Sequence, residues 1–255
     1  MDPKQYPILE FDESREALLE PHKMIRKADV PEHCVITFFR EVIDGMGEAG
    51  RLKQVASLHS ETLDLPVYEA DYDGHSVGLT LGTVGAPGAA GQLEELIALG
   101  FSKFIVCGGA GVLQKDIAVG NLIVPDSAVR DEGVSYHYAP PSREIECNPE
   151  ALAAIERELS ASQLPYLRAK TWTTDAFYRE TRDKVRLRVS EGCVTVEMEA
   201  AAFFAVSRFR GVRLGQILYG GDDLSGTDWD GRKWNSRREI RENLVELSMK
   251  ICLSI

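Results

Sequence analysis

Residues 76–109, SVGLTLGTVGAPGAAGQLEELIALGFSKFIVCGG, constrain the fold more than any other part of the chain. A β-rich run enters a glycine-rich turn, an amphipathic helix follows through Leu99, and Gly100 ends it before a second apolar run. That order is a strand–helix–strand unit, for which a right-handed crossover is expected. The alternation continues through CVITFF, VYEA, NLIVP, LRAKTWTT and LGQILYGG, with helix-like segments between several of them. No repeat, low-complexity tract or Ser/Pro-rich linker interrupts it, so the reading is an α/β fold in a single domain. The last helix is expected over 236–253, with Ile240, Leu244, Leu247 and Ile251 on one apolar stripe. Residues 227–235, TDWDGRKWN, read as a lid-like loop or as a loop that its two tryptophans anchor to the core.

The chain's omissions narrow the class of partner. No apolar run approaches the roughly 18 residues of a membrane span, and the N-terminus has no secretory signal pattern. A cytoplasmic protein with no membrane partner is therefore expected. Five cysteines, odd in number and widely spaced, fit neither a disulfide framework nor a metal-ligand spacing, and read as reduced thiols. A net charge of −11 argues against nonspecific binding to nucleic acid. A small-molecule partner fits better.

Two motifs carry chemistry. In GTVGAPGAAG, glycines ahead of a helix expose backbone N–H groups that suit an anion, although neither the Walker A pattern nor the dinucleotide fingerprint is present. The turn reads equally as a tight bend needing positive φ. In VTVEMEAAAFFAV, residues 194–206, Glu197 and Glu199 flank Met198 inside an otherwise apolar stretch. Carboxylates are rarely buried without partners, because desolvating an isolated charge is costly. A strand over 194–196 followed by a helix starting near Glu199 would set both acids at a strand end. The helix dipole explains one such acid better than two. Ligands bind at strand ends in open α/β sheets.

The block VEMEAAAFFAV, preceded by GGAGVLQKDIAVGNLIVPDSAVRDEGVSYHY and TWTTDAFYRET and followed by LYGGDDLSG, resembles the nucleoside phosphorylase family, of uridine phosphorylase, purine nucleoside phosphorylase and nucleosidase type. The resemblance begins near His22, which sets residues 1–21 apart as an N-terminal extension of a domain over 22–255. It implies a central mixed, partly barrel-like sheet flanked by helices. It also implies cleavage of a nucleoside's N-glycosidic bond, with phosphate as co-substrate, no metal and no organic cofactor. Such a reaction must grip the ribose, stabilise an oxocarbenium-like sugar and neutralise the departing base.

By the resemblance, Glu199 accepts hydrogen bonds from the ribose hydroxyls and Met198 packs on the sugar. Glu197 serves either as site support or as a structural cap. Phe177 packs on the base, Asp222 hydrogen-bonds or protonates it as a general acid, and Arg237 lies near the position of that acid's arginine partner. Asp223 reads as a solvated neighbour or a cap. His22 matches a histidine that reaches into a neighbouring subunit's site, which implies a homo-oligomer, a dimer or a hexamer.

The acceptor side departs from the family. The first loop reads CVITFFREVIDGM without the family's Gly-Asp-Pro, Val106 stands where a phosphate-binding arginine is expected, and no arginine lies between Leu52 and Val129. Guanidinium pairs are the strong grip on phosphate. Arg40, Gly85 and Gly109 are the remaining candidates for holding it. Water is the alternative acceptor, as in the hydrolytic branch, with Glu41 as the candidate for orienting it. The base is left open, because FYRETRD offers Arg179, Thr181 and Arg182 at a spacing unlike that of the uridine enzymes. The expectation is phosphorolysis to free base and ribose 1-phosphate, with hydrolysis or a non-catalytic nucleoside-binding protein as alternatives.

Overall fold

Ten strands and eight helices lie between Pro21 and Cys252 in the computed structural model, which describes residues 3–255. In chain order they are α1 (Pro21–Met24), β1 (His33–Thr37), α2 (Arg40–Glu48), β2 (Leu52–His59), β3 (Asp64–Tyr72), β4 (His75–Leu81), α3 (Ala86–Leu99) and β5 (Lys103–Val112). There follow β6 (Leu122–Asp131), α4 (Ser135–Tyr138), β7 (Glu144–Glu146), α5 (Pro149–Ala161), β8 (Tyr166–Thr174), α6 (Arg182–Ser190) and β9 (Cys193–Glu197). The chain ends with α7 (Ala200–Arg210), β10 (Arg213–Asp223) and α8 (Arg238–Cys252).

The sheet is mixed and closes on itself in part. Strands β5, β10, β6, β8 and β9 pair in sequence, and β9 returns to β5, which makes a five-stranded ring. From β5 the order β1, β4, β3, β2 continues outward as an open wing. Strand β5 makes this possible because it changes neighbours along one edge. Its residues Lys103–Cys107 pair with β1, whereas Gly111 and Val112 pair antiparallel with β9; β10 runs parallel along its other edge. Helix α3 therefore does cross from β4 to β5, but β1 lies between those two strands. Gly85 opens α3 at φ 89° and Gly100 closes it at φ 130°, backbone conformations that favour glycine.

Burial follows the sequence pattern in most places. Helix α7 is buried at every position from Ala200 to Ser207, as expected of a helix apolar on all sides. It packs on α3, α4 and β10, and full burial of a side chain such as Phe203 contributes about 1.5–3 kcal/mol. The five cysteines are buried and unpaired. Helix α8 is rotated from its expected stripe: Leu244 and Ile251 are buried, but Ile240 and Leu247 are only half-buried. Val245, Ser248, Met249 and Cys252 fill the inner face instead, and Arg241 sits among them. The helix turns a charged residue inward because partners there satisfy it, a condition the apolar period cannot register. Edge strand β2 and the three-residue β7 carry few buried side chains and lack a strong apolar pattern.

Gly78 shows how tightly β1 and β4 are packed. A Cβ at this position would overlap the ring of the buried Phe101. Gly78→Ala is expected to cost about 1–3 kcal/mol through overpacking, read as a lower thermal midpoint with an unchanged far-ultraviolet spectrum.

Candidate active site

The partner switch along β5 leaves Gly108, Gly109 and Ala110 between the end of the β1 pairing and the start of the β9 pairing. A crevice at such a point is where open α/β sheets receive ligands. The loop after β1 enters from one side, with Phe38 and Phe39. The end of β9 enters from the other, with Glu197, Met198 and Glu199.

The two glutamates are both buried, at 7% and 6% exposure, but they are used differently. Glu197 Oε2 accepts the backbone N–H groups of Glu199 at 2.7 Å and Ala200 at 2.6 Å, while its Oε1 accepts the Thr173 hydroxyl at 2.6 Å. Thr173 Oγ1 in turn accepts the Ala201 N–H at 3.0 Å. Three amides at the start of α7, which have no partner within the helix, are satisfied in this way. Of the two readings, the structural cap describes Glu197. Among the described residues Glu199 accepts the Gly85 N–H at 2.6 Å, and the Met198 amide also acts on it, so the carboxyl retains acceptor capacity. Burial raises the pKa of both carboxyls; at Glu199 the neighbouring Glu197 raises it further and the Gly85 amide opposes the shift. Met198, between them, is half-buried.

A second group of residues gathers where β8 and β10 end. A Cβ on Gly111 would lie 2.6 Å from Leu224 and 3.0 Å from Val196, so this glycine lets Leu224 and β9 pack closely on β5; Asp222 Oδ1 lies 3.6 Å from the same point. Asp222 Oδ2 accepts the indole N–H of Trp229 at 2.6 Å. Asp223 accepts the Ser225 N–H at 2.8 Å, and its backbone forms a two-way bridge with Asp230. Trp234 O accepts the Tyr219 hydroxyl at 2.7 Å. Both tryptophans thus tie the 227–235 loop to β10. The arginine that lies along this end of β10 is Arg232, which donates to the carbonyls of Gly221 and Ile117 at 2.9 Å and lies 3.9 Å from the Asp223 carboxylate. Arg237 turns instead to the Arg232 carbonyl at 3.0 Å. The spacing through the tryptophan loop concealed this exchange.

Phe177, at 50% exposure, stacks on Tyr178 with ring centroids 4.1 Å apart. A cleft of about 800 Å³ is lined by Lys115, Glu180, Arg182, Asp223, Leu224 and Trp229 among others, and neither Phe177 nor Tyr178 is part of its lining. Glu180 was not singled out from sequence, because nothing in FYRET marks its glutamate as facing a cleft rather than solvent. Its carboxyl is pushed up to about 7 by burial and by the charge of Asp222, against the opposing pull of Lys184.

Among the described residues, the candidates for holding phosphate do not converge on one pocket. Val106 is fully buried in the core. The Phe38 ring covers Gly108 and Gly82, where a Cβ would come within 3.1 and 2.8 Å of it. Gly109 lies under the Tyr219 ring, 3.1 Å from where its Cβ would be. The Gly85 amide, expected to face phosphate, is instead given to Glu199. Arg40 is exposed at the start of α2 and makes no ion pair with any described residue. Glu41, the candidate for orienting water, is held by Arg241 at 2.5 Å. Arg241 is buried, donates to the Tyr219 hydroxyl at 3.1 Å, and stacks on Phe39 and Trp234. This network clamps the first loop, β10 and α8 together. Among the described residues no group of three or more His, Cys, Asp and Glu could hold a metal ion.

His22, on α1, has a side chain 68% exposed and lies 3.8 Å from Glu20. Glu20 is buried, accepting the Ala17 N–H at 2.7 Å and pairing with Arg210 at 3.3 Å. Those contacts seat the start of α1 on α7. Leu18, Leu19 and Met24 around His22 are strongly exposed.

The model of the family described as "Phosphorylase superfamily" matches residues 40–254. A guanosine phosphorylase from Halorubrum lacusprofundi is 27% identical over 242 residues, covering 92% of this chain and 97% of that protein. A uridine phosphorylase from Thermococcus kodakarensis is 28% identical over 194 residues, covering 67% of this chain and 69% of that protein. The fold is that of a purine nucleoside phosphorylase from Toxoplasma gondii, with a TM-score of 0.75 at 21% identity over 88% of this chain and 91% of the other. A uridine phosphorylase from Vibrio fischeri is alike in fold, with a TM-score of 0.71 at 23% identity over 92% and 94%.

Proposed function

This chain belongs to the phosphorylase superfamily, and from that premise we propose that it cleaves the N-glycosidic bond of a nucleoside by phosphorolysis, releasing free base and ribose 1-phosphate. The observation that carries this reading is the division of labour at the end of β9. Glu197 is engaged by two helix amides and the Thr173 hydroxyl, whereas Glu199 meets the Gly85 amide and keeps more acceptor sites open at comparable burial.

Glu199 grips the ribose hydroxyls and Met198 supports the sugar face. As the bond to the base lengthens, positive charge grows on the sugar beside the buried carboxyl, where low dielectric strengthens the attraction. Phe177 packs on the base, and Asp222 holds its edge. Phosphate is the co-substrate, entering beside Phe38 and the first loop. The names of the guanosine and uridine relatives support phosphate as acceptor. A homo-oligomer is part of the proposal. Exposed Leu18, Leu19 and Met24 give the region around His22 an apolar surface suited to a second copy, whose site His22 would reach. The setting proposed is the cytoplasm; none of the described helices is long and apolar enough to cross a membrane.

The test is a panel of nucleosides incubated with the protein, with and without phosphate, scored for free base and sugar product. Base release that requires phosphate and yields ribose 1-phosphate is expected. Release indifferent to phosphate, with free ribose as product, would replace phosphorolysis by hydrolysis; binding without release would make the protein a nucleoside binder.

A further inference from the structure

Strand β4 leaves the sheet next to the glutamates, and its last peptide groups need partners there. Its pairing with β1 ends at Leu81, opposite Thr37, and its pairing with β3 ends at Thr80, opposite Val67. The next residue along β3 is Pro66, which has no N–H to offer Leu81. Gln92, in the second turn of α3, takes the vacant place. Its side chain is buried, Nε2 donates to the Leu81 carbonyl at 2.7 Å, and Oε1 accepts the Thr83 N–H at 2.9 Å. A primary amide sets a donor and an acceptor side by side, so it reproduces the two bonds that a neighbouring strand would make. On the opposite edge the Gly82 N–H donates to the Thr37 carbonyl at 2.7 Å. Residues 81–83 are therefore held from both sides. Two residues further on, the Gly85 N–H meets Glu199 Oε1 at 2.6 Å.

We infer that Gln92 is a positioning residue for glycosidic cleavage: by fixing the turn after β4 it aims the Gly85 N–H at Glu199 and so orients that carboxyl toward the sugar. The inference rests on the reading of Glu199 as the ribose grip. Gln92 acts through the turn, since both ends of its amide are bonded to Leu81 and Thr83. The Gly85 amide is one of two backbone donors, with that of Met198, that favour the ionised form of Glu199; burial and the facing carboxyl of Glu197 oppose them. A turn released from Gln92 weakens the Gly85 bond. More of Glu199 then stays protonated at neutral pH, and the negative charge available to the cationic sugar falls.

Gln92→Leu keeps most of the bulk and removes both bonds. It is expected to lower kcat/KM for nucleoside cleavage at neutral pH by about 10- to 100-fold, as a misplaced site group does, with the loss mainly in kcat. The acid limb of its pH profile should move to higher pH, so that the deficit shrinks as pH rises. Gly78→Ala strains the same strand away from the turn and serves as the stability control: it should lower the thermal midpoint without moving the acid limb. A deficit constant across pH, or an acid limb moved equally by Gly78→Ala, would make Gln92 a scaffold residue only. Carbon-13 NMR of the glutamate carboxyls reads the same bond in ligand-free protein, with Glu199 identified by the resonance missing from Glu199→Gln. Gln92→Leu should raise its titration midpoint. If no nucleoside is cleaved while that midpoint rises, the ribose reading fails and the hold of Gln92 on Glu199 stands. An unmoved midpoint overturns the positioning whatever the turnover. Gln92→Asn, whose amide falls one methylene short of the turn, should shift both readouts in the same direction by less, and carries the test if Gln92→Leu does not fold.

Discussion

Glu199→Gln is expected to lower kcat/KM for nucleoside cleavage by about 100- to 1000-fold, the loss typical of removing one preorganised electrostatic contact to a transition state. The loss falls mainly on kcat, because the charge matters most when the sugar becomes cationic. Stability is expected to behave in the opposite sense. The Gln carbonyl can still accept the Gly85 N–H, while the cost of ionising a buried carboxyl next to Glu197 disappears. Burial raises the Glu199 pKa above that of the unfolded chain, so its favourable contribution to folding is full below the ordinary carboxylate range and is lost as pH rises through the raised value. The variant lacks this loss. Its thermal midpoint should therefore match or exceed that of the parent at neutral pH, with the difference shrinking in acid. Undiminished turnover in Glu199→Gln would remove the proposed ribose grip, and a collapse of stability at neutral pH would assign Glu199 to the scaffold.

Glu197→Ala is expected to do the reverse, destabilising the fold by about 2–3 kcal/mol because two buried helix amides and the Thr173 hydroxyl lose their acceptor. For a chain of this size that corresponds to a drop of roughly 4–12 °C in thermal midpoint. Denaturant titration should show a lower midpoint with the same slope. Activity per folded molecule should fall less than in Glu199→Gln, since Glu197 acts on the site only through the start of α7. A variant as stable as the parent would show that water replaces the cap. The pair of variants separates two residues that the motif presents as equals.

Local pattern reached far into this fold. The strand–helix–strand unit around α3, the apolar run of β5, and the strand-to-helix junction at Glu197–Glu199 are all legible, because each depends on side-chain period and turn chemistry within a short stretch. The weaker readings failed where tertiary partners decide. Arg241 interrupts the apolar face of α8, yet Glu41 and Tyr219, 200 and 22 residues away, hold it inside. Arg232, rather than Arg237, lies along the end of β10 because the tryptophan loop folds back on that strand. Gly85 looked free to meet an anion until Glu199, 114 residues on, took its amide.

The amino-acid sequence by itself determined the α/β class, the family, and the presence of two carboxylates at a strand end, since these follow from patterns carried by neighbouring residues. Only the tertiary structure decided that Glu197 is spent on the start of α7 while Glu199, equally buried, meets the Gly85 amide. The reason is that hydrogen bonding saturates: a buried acid's role depends on how many donors distant segments bring to it, and no local pattern records that number.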